Sequence, residues 1–335
     1  MTSITPKRVT TVTAMIPCYN AAQFIEEAIA STQQQTRPPD EIIVIDDCST
    51  DGSGDIAERM GVRVLRTAVN GGGGAARNLG IREARGDVVA WLDADDFWEP
   101  HHLATVVGLL EQHPDASLAF SLVREFGDRS GIWAECLPAG SPCDALEACL
   151  HRCVVPHISV VVFLEALRNV GGYDESMRVG ADYDIWLRLS AVHRFVCTHE
   201  ITANWRQHDS QISGGSGGGG KLFAYWEMEY ASRARFLSAT QASGDLDRFR
   251  LVEALMIRVS QSHLMCAWWA RDERQLAFHL ERVPDVADAR ALRQRWRRRA
   301  RMLHAARVWD AVRSSARAIV RTLTGGSSTT FGKVP

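Results

Sequence analysis

The stretch Gly86-Asp-Val-Val-Ala-Trp-Leu-Asp-Ala-Asp-Asp-Phe-Trp-Glu-Pro100 organises this chain. Its apolar run has the length of a strand and ends abruptly in three acids, Asp93, Asp95 and Asp96. Open α/β sheets bind their ligands at the carboxyl ends of strands. Because Mg²⁺ and Mn²⁺ prefer oxygen ligands and take only some of them from protein, the stretch predicts a site for a metal-bound phosphate. Taken alone, it is equally typical of an acidic turn before a helix that begins at Pro100.

The composition excludes several classes of protein. The 335 residues carry a formal net charge of −2, so bulk charge predicts no nucleic-acid partner. No apolar run reaches the length of about 18 residues that predicts a membrane-spanning helix, and residues 1–11 lack the apolar core of a signal peptide. The eight cysteines have neither Cys-x-x-Cys nor zinc-finger spacing. We therefore expect a cytoplasmic protein with reduced cysteines.

Strand and helix patterns alternate in the first hundred residues. The predicted strands are Val9–Ile16, Glu41–Ile45, Val62–Leu65 and Asp87–Leu92, and the predicted helices are Ala22–Gln35 and Ala75–Ala84. Strands separated by helices at this spacing form parallel, buried βαβ units. Each strand ends at polar or acidic residues. Asp46 and Asp47, which follow the second strand, should therefore gather with the three acids after the fourth.

A glycine-rich segment, Asn70-Gly-Gly-Gly-Gly-Ala-Ala-Arg-Asn78, joins the third strand to its helix. Its glycines permit close approach of a ligand to the backbone, and the helix start offers N–H groups to phosphate. Arg77 is unfavourable in a first helical turn, which indicates an anionic partner. The segment lacks the Gly-Lys-Ser/Thr of a P-loop, and it does not follow the first strand as a dinucleotide fingerprint would. A flexible turn remains the alternative.

The second half continues the α/β pattern. Its predicted elements are helix His101–Gln112, strand Ser117–Glu125, loop Asp128–Gly140, strand Pro156–Leu164, a helix entered at Gly180–Leu189, and strands Arg194–Cys197 and Ile201–Arg206. Asp182 lies at the start of the helix and Asp184 in its first turn. A carboxylate in that position is usually a cap. His208 follows the last strand, and a lone histidine is more often hydrogen-bonded than a ligand.

The C-terminal third changes character. Residues 214–220 form a glycine-rich lid or linker, residues 221–324 have a helical pattern throughout, and residues 325–335 are predicted to be disordered. The last predicted helix, Arg290–Leu323, is rich in arginine and has an apolar stripe that includes Leu292 and Trp296. Such a helix could lie on an anionic membrane, giving peripheral contact at the inner face, or pack on the protein with its arginines in solvent.

Five motifs, in order, resemble family 2 of the inverting, GT-A-fold glycosyltransferases over residues 10–213. They are Pro17-Cys-Tyr-Asn20, Ile45-Asp-Asp-Cys-Ser-Thr-Asp-Gly52, Asn70 and Gly72 with Ala76-Arg-Asn78, Asp93-Ala-Asp95-Asp96, and Gly171-Gly-Tyr-Asp-Glu175 followed by Asp182-Tyr-Asp-Ile-Trp-Leu-Arg188. The chain departs from the family at Cys48, where glycine is usual, and at Ala181, where glutamate is more frequent. The resemblance implies a Rossmann-like, mixed and mostly parallel sheet flanked by helices in residues 1–213, with a helical C-terminal extension. Residues 10–100 would bind the nucleotide-sugar and residues 101–213 the acceptor.

The resemblance also assigns the nucleotide-binding residues. Asp47, with Asp46 beside it, would accept the N3–H of a pyrimidine base. Tyr19 would flank the base near Pro17. Arg77 would lie near the base and the diphosphate. These roles imply a UDP-sugar as donor.

Metal and ribose contacts are assigned in the same way. Asp93 would approach the ribose, and Asp95 would bind the Mg²⁺ or Mn²⁺ that bridges the diphosphate. His208 is a second candidate ligand, and Arg206 beside it would close over the diphosphate. Asp96 is a further candidate.

The resemblance implies that Asp182 is the general base, with Asp184 as a further candidate. A carboxylate can take the proton of a sugar hydroxyl while that oxygen attacks C1, and in-line displacement of the nucleoside diphosphate then inverts the anomeric centre. The predicted function is transfer of a sugar to a glycan or lipid-linked glycan in surface polysaccharide assembly. The alternatives are a nucleotide-sugar-binding module or membrane scaffold without catalysis, and a nucleotide-binding oxidoreductase. The missing Gly-x-Gly-x-x-Gly after the first strand disfavours the oxidoreductase.

Overall fold

The computed structural model of the chain describes residues 9–133, 136–208, 211, 220–269, 272–283 and 289–302. The chain divides into two compact units, Met1–Ser243 and Gly244–Pro335. The predicted linker 214–220 lies outside the described residues except for Gly220, which begins a helix. The predicted tail 325–335 also lies outside them.

The first unit is built on one mixed sheet. Its strands are β1 (Val12–Cys18), β2 (Glu41–Asp46), β3 (Arg63–Arg66), β4 (Val88–Trp91), β5 (Phe97–Trp98), β6 (Ala116–Gly127), β7 (Gly131–Trp133), β8 (Val161–Phe163) and β9 (Arg194–Gln207). Their order is β3-β2-β1-β4-β8-β6-β9-β5, and β7 pairs with β6 outside this path. β1 is parallel to β2 and to β4, and β2 is parallel to β3. The predicted parallel βαβ half is confirmed.

Helices cover the sheet. In the first unit they are α1 (Ile25–Gln33), α2 (Ser53–Arg59), α3 (Gly73–Glu83), α4 (His102–Gln112), α5 (Leu146–His151), α6 (Leu164–Asn169), α7 (Ala181–Ser190) and α8 (Gly220–Ala242), with a 3-10 turn at His157–Ser159. Every residue of β4 is buried, as expected for a parallel strand covered on both faces. All four parallel strands therefore end at one edge of the sheet, where the loops after them meet.

Several local elements differ from the sequence prediction. β5 and α5 were not predicted, and the predicted strand Pro156–Leu164 is a 3-10 turn followed by β8. α2 follows the acidic turn after β2, where no helix was expected, because seven residues are too few for a clear helical period. β7 lies within the predicted loop Asp128–Gly140. The two predicted closing strands are one strand, β9, whose pairing with β6 shifts register at several points. Such irregularities allow a long strand to bend.

α8 is fixed to α7 by a buried arginine. Arg233 is 1% exposed, and its Nε donates to the hydroxyl oxygen of Tyr183 at 2.9 Å. Its Nη2 donates to Glu229 at 2.9 Å and to the carbonyl oxygen of His151 at 3.0 Å. Since Tyr183 directly follows Asp182, this network holds the helix that carries the predicted base.

The second unit contains α9 (Leu246–Trp269), α10 (Glu273–Glu281) and the helical residues 289–302. Leu292 and Trp296 are buried in its apolar cluster, so within residues 289–302 the predicted amphipathic helix packs against its own unit. Residues 303–323 lie outside the described residues, and membrane contact there stays a prediction. None of the helices in the described ranges combines the length and apolarity needed to cross a bilayer.

Candidate active site

The loops after β1 and β2 are tied together at the sheet edge. The backbone N–H of Asn20 donates to Ser49 Oγ at 3.0 Å, and Asn20 Oδ1 accepts from the N–H of Thr50 at 2.8 Å. Tyr19, beside this clasp, is 52% exposed. Pro17 lies in β1 opposite Ile45 of β2. The two residues predicted to flank the base are therefore at the rim of the edge, with the Tyr19 ring open to solvent.

Asp46 and Asp47 point in different directions. Asp47 Oδ1 accepts from Thr67 Oγ1 at 2.8 Å and from the N–H of Gly71 at 3.0 Å, and its Oδ2 accepts from the N–H of Gly72 at 2.7 Å. Asp46 Oδ1 instead accepts from the N–H of Ser49 at 3.0 Å, on the α2 side. A carboxylate has about four lone-pair sites. Asp47 thus anchors the glycine-rich segment and keeps one site for a ligand, whereas Asp46 holds its own turn.

Cys48, between these acids and the next turn, has a positive φ of 65°. This is the left-handed region, which glycine enters without the steric penalty that a side chain brings. The glycine usual at this position in the resembled family is explained by that conformation, and this chain accepts the strain.

Arg77 of α3 and Asp93 of the loop after β4 form an ion pair. Arg77 Nη2 lies 2.8 Å from Asp93 Oδ1, and its guanidinium lies 5.7 Å from the ring centre of Tyr173. Burial opposes the charge of Arg77, but Asp93, Tyr173 and Asp182 outweigh it and raise its pKa. Asp93, the second residue after β4, is therefore held by a cation from α3. Because α3 begins at Gly73, Arg77 lies in its second turn and not in the first turn as predicted.

Asp95 and His208 meet at the same edge. His208 Nε2 lies 3.0 Å from Asp95 Oδ2. Burial and the neighbouring Asp93 raise the pKa of Asp95, and the hydrogen bond from His208 opposes this rise. The structure thus brings together the two residues that were predicted to bind a metal.

Arg206 and Asp96 shape the turn that carries Asp95. The N–H of Arg206 donates to Asp96 Oδ1 at 2.7 Å, and its Nε donates to the carbonyl oxygen of Asp95 at 2.9 Å. Its guanidinium lies 4.6 Å from the Phe126 ring centre and pairs with Glu27. Burial raises the pKa of Asp96 well above its ordinary value. Both side chains are engaged inside the protein, and the predicted contact of Arg206 with a diphosphate stays a prediction.

Asp182 and Asp184 lie on different sides of α7, because two helical residues are about 200° apart around the axis. Asp184 is buried and pairs with Arg188 at 2.8 Å. Asp182 is partly buried in the first turn, after Gly180 with φ 74°. Burial raises the pKa of Asp182, against the effect of Arg77 and of the Tyr183 N–H. Asp182 therefore shares the electrostatic environment of Arg77, whereas Asp184 is an internal structural pair.

Two features of the site were not predicted from the sequence: His157, and a clamp in which the Asn78 side chain holds the backbone of Tyr173. Asn78 Nδ2 donates to the carbonyl oxygen of Tyr173 at 2.8 Å, and its Oδ1 accepts from the Tyr173 N–H at 2.8 Å. The Tyr173 hydroxyl is 3.0 Å from Nε2 of His157. The Ala-Arg-Asn motif thus has two uses: Arg77 holds Asp93, and Asn78 holds the Gly-Gly-Tyr loop. A lone histidine after a proline gave no signal in the sequence.

The residues present fit a divalent cation with two protein ligands. Within the described part of the chain, no group of three or more His, Cys, Asp or Glu side chains is arranged to hold a metal. The pair Asp95 and His208 offers one carboxylate oxygen and one imidazole nitrogen 3.0 Å apart. Mg²⁺ in phosphate-transferring sites takes one or two protein carboxylates and completes its shell from phosphate and water, and an imidazole nitrogen favours a transition ion.

The N-terminal part of the site just described lies within a region that matches a known family. The sequence profile described as Glycosyl transferase family 2 matches residues 13–154. Residues 13–154 therefore form a glycosyl transferase family 2 region. The match contains β1 to β4 and the loops with Asp47, Arg77, Asp93 and Asp95, and it ends before His157 and α7.

Several proteins similar to this chain bear on its fold. An uncharacterised glycosyltransferase of Rickettsia typhi is 28% identical over 213 residues, which are 60% of this chain and 65% of that protein. The putative teichuronic acid biosynthesis glycosyltransferase TuaG of Bacillus subtilis is 28% identical over 68% of this chain and 91% of its own length. The crystal structure of S. aureus TarS 1-349 in complex with UDP-GlcNAc has a TM-score of 0.61 at 16% identity, covering 87% of this chain and 88% of TarS 1-349. The predicted GT-A fold is confirmed.

Proposed function

We propose that this protein is an inverting glycosyltransferase that moves a sugar from a UDP-sugar to a hydroxyl of a glycan or a lipid-linked glycan. Family membership supports sugar transfer, and the UDP-GlcNAc bound by TarS supports a uridine donor. The name of TuaG supports an acceptor in surface polysaccharide assembly. In this proposal Asp47 uses its remaining lone pair to accept the pyrimidine N3–H, with Tyr19 and Pro17 beside the base.

The observation that carries the proposal is the ion pair of Arg77 and Asp93 at 2.8 Å, with Asp182 near enough to influence the pKa of Arg77. The negative charges of Asp93 and Asp182 help to raise the pKa of Arg77. Burial raises the pKa of Asp182 above its ordinary value. A base with a raised pKa accepts a proton from an alcohol more readily. A guanidinium held in a dry site stabilises negative charge on a departing diphosphate. A base for the acceptor hydroxyl and a cation for the departing diphosphate are what a single displacement requires.

The family resemblance supports inversion, with Asp182 taking the proton of the acceptor hydroxyl while that oxygen attacks C1. A retaining double displacement would instead need a carboxylate that attacks the anomeric carbon. Two of the neighbouring acids are already engaged by protein groups: Asp93 is paired with Arg77 at 2.8 Å, and Asp96 accepts from the Arg206 N–H at 2.7 Å.

Asp95 and His208 are the residues that would hold Mn²⁺ or Mg²⁺. A bound cation would supply positive charge to the diphosphate. Arg206 and Asp96 keep the turn in place, because they fix the backbone of Asp95 and of the strand end that carries His208. Arg77 holds Asp93, which is assigned to the ribose.

A screen of nucleotide-sugars for donor hydrolysis tests this proposal without knowledge of the acceptor. We expect UDP release from one UDP-sugar in the wild type, its loss in EDTA and its restoration by Mn²⁺. Asp182→Asn should bind UDP as the wild type does and release no product. If the wild type binds a UDP-sugar but never turns it over with any acceptor, the protein is a nucleotide-sugar-binding module and the catalytic proposal is wrong.

A further inference from the structure

His157 lies directly beneath the Arg77–Asp93 pair. Its Nδ1 is 4.0 Å from Asp93 Oδ1, and its Nε2 is 3.0 Å from the Tyr173 hydroxyl. The imidazole is packed between Trp91 and Trp186, with ring centres 5.4 and 5.5 Å away. Two indole rings restrict rotation of the imidazole, so its two nitrogens keep these separate directions.

Nδ1 is a buried polar atom without a hydrogen-bond partner among the described residues. Buried polar atoms are rarely left unpaired, and those that are call for a functional explanation. The atom that Nδ1 faces is the carboxylate oxygen already held by Arg77 at 2.8 Å. At 4.0 Å the contact is too long for a hydrogen bond, and it acts as an N–H dipole directed at a negative charge.

The neighbours of the imidazole select its tautomer. Burial, and secondarily the charge of Arg77, lower the pKa of His157 well below its usual range, so the ring is neutral. Burial raises the pKa of Tyr173, so its hydroxyl keeps its proton and can donate to Nε2. A neutral imidazole that accepts at Nε2 carries its hydrogen on Nδ1. The Tyr173 hydroxyl can pair with either tautomer, and the negative charge of Asp93, 4.0 Å from Nδ1, favours the one with its hydrogen on Nδ1.

We infer that His157 is a positioning residue of the donor site, which orients the Asp93 carboxylate through Nδ1 and fixes the Tyr173 ring under Arg77 through Nε2. The inference deepens the proposed function and depends on it, because Asp93 is the acid assigned to the donor ribose. His157 supports both members of the ion pair: Asp93 directly, and Arg77 through the Tyr173 ring, whose centre is 5.7 Å from the guanidinium carbon. It contacts no substrate itself.

Two amide substitutions separate the two contacts. The side-chain nitrogen of asparagine can take the place of Nδ1, and that of glutamine the place of Nε2. We expect His157→Asn to keep UDP affinity near that of the wild type, and His157→Gln to weaken it by up to about tenfold, because a full hydrogen bond to a charged group contributes at least about that much. The measurement is calorimetric titration with UDP in the presence of Mn²⁺.

Deoxynucleotides distinguish positioning from general damage. UDP, 2′-deoxy-UDP and 3′-deoxy-UDP are titrated into each protein as a double-mutant cycle. We expect the wild type and His157→Asn to lose affinity when the hydroxyl bound by Asp93 is removed, and His157→Gln to lose that discrimination. Equal weakening of all three nucleotides in His157→Gln, or no weakening at all, would overturn the inference.

Tyr173→Phe tests the same idea with the imidazole left in place. Without the hydroxyl, His157 Nε2 loses the donor that supports the tautomer with N–H on Nδ1. We therefore expect Tyr173→Phe to lose ribose discrimination, but less of it than His157→Gln loses. Unchanged discrimination in Tyr173→Phe would also overturn the inference. This variant therefore decides the question even if the His157 variants fail to fold. If the wild type binds none of the three nucleotides, the uridine donor of the proposed function is wrong, and this inference falls with it.

Discussion

Nε2 of His208 lies 3.0 Å from Oδ2 of Asp95, although the two residues are 113 positions apart. Asp95 belongs to the loop after the parallel strand β4, and His208 directly follows β9. The approach is fixed by the backbone, since the N–H of Arg206 donates to Asp96 at 2.7 Å. The acidic loop and the end of β9 are therefore held together by hydrogen bonds. A metal bound there would connect the N-terminal and C-terminal halves of the sheet domain.

Removal of either member of this pair should weaken metal-dependent nucleotide binding. We expect Asp95→Asn and His208→Ala each to reduce Mn²⁺-dependent UDP affinity by at least about tenfold, because even outer groups of metal sites contribute that much. His199→Ala is a matched control, since His199 lies in β9 and contacts the carbonyl oxygen of Leu137 instead of an acid. Titration calorimetry with Mn²⁺ and with EDTA measures both effects. UDP binding that EDTA does not change would contradict the metal assignment.

The acid limb of the rate profile should report Asp182. Its pKa is raised above 3.8 by burial, and only the deprotonated form can accept a proton, so kcat/KM should fall as the pH decreases through that raised pKa. Asp182→Asn should lower kcat by about 10²- to 10⁴-fold, the usual contribution of a general base. UDP affinity of the variant serves as the control. Residual activity of Asp182→Asn that keeps the same acid limb would assign the limb to another group.

The parallel half of the fold follows from the sequence, because buried strands between amphipathic helices leave little choice of topology. The predicted strand Glu41–Ile45 differs from β2 by one residue, and the predicted helix His101–Gln112 from α4 by one residue. The short elements α2 and β7 were not predicted, because they have too few residues to establish a period. The continuity of β9 was not predicted either, since its register shifts against β6 depend on tertiary pairing.

The sequence predicted that acids would gather at one sheet edge, but it could not predict their partners. Asp46 and Asp47 are neighbours, yet one holds a turn and the other holds the N–H groups of Gly71 and Gly72. The direction of each carboxylate depends on the backbone of a loop, which carries no periodic signal. For the same reason nothing in the sequence indicated that the Arg206 guanidinium would donate to the carbonyl oxygen of Asp95 and lie against the Phe126 ring.

Gly171 and Gly172 offer a matched pair for the clamp formed by Asn78. Both have positive φ, 83° and 69°, but a Cβ at Gly172 would lie 2.5 Å from Asn78 Oδ1, whereas nothing lies within 4 Å of one at Gly171. Gly171→Ala should lower the free energy of unfolding by about 1–2 kcal/mol, the penalty of a left-handed residue. Gly172→Ala should cost more and should also weaken UDP binding, because it displaces the loop that carries Tyr173. Urea unfolding of both variants measures the difference, and equal losses would contradict the clamp.

The buried pair of Arg233 and Glu229 should control how firmly α8 holds α7. Their side chains are 1% and 4% exposed and 2.9 Å apart, and removal of one partner of such a pair usually costs about 3–5 kcal/mol. Arg233→Met should therefore destabilise the protein by about that amount, because Glu229 is left buried without its cation. Arg233→Met with Glu229→Gln should recover part of the loss, since no charge remains buried.

The pH dependence of the single variant gives this prediction a sign. Burial raises the pKa of Glu229, so the folded state binds a proton more readily than the unfolded state, whose ordinary value is 4.5. Stability contributed by that proton increases as the pH falls from the raised pKa toward 4.5. Without Arg233 the pKa of Glu229 rises further, so the deficit of Arg233→Met should be largest at neutral pH and shrink in acid. The double variant should lack this dependence. A deficit of Arg233→Met that is independent of pH would mean that lost packing, and not the unpaired carboxylate, destabilises the helix pair.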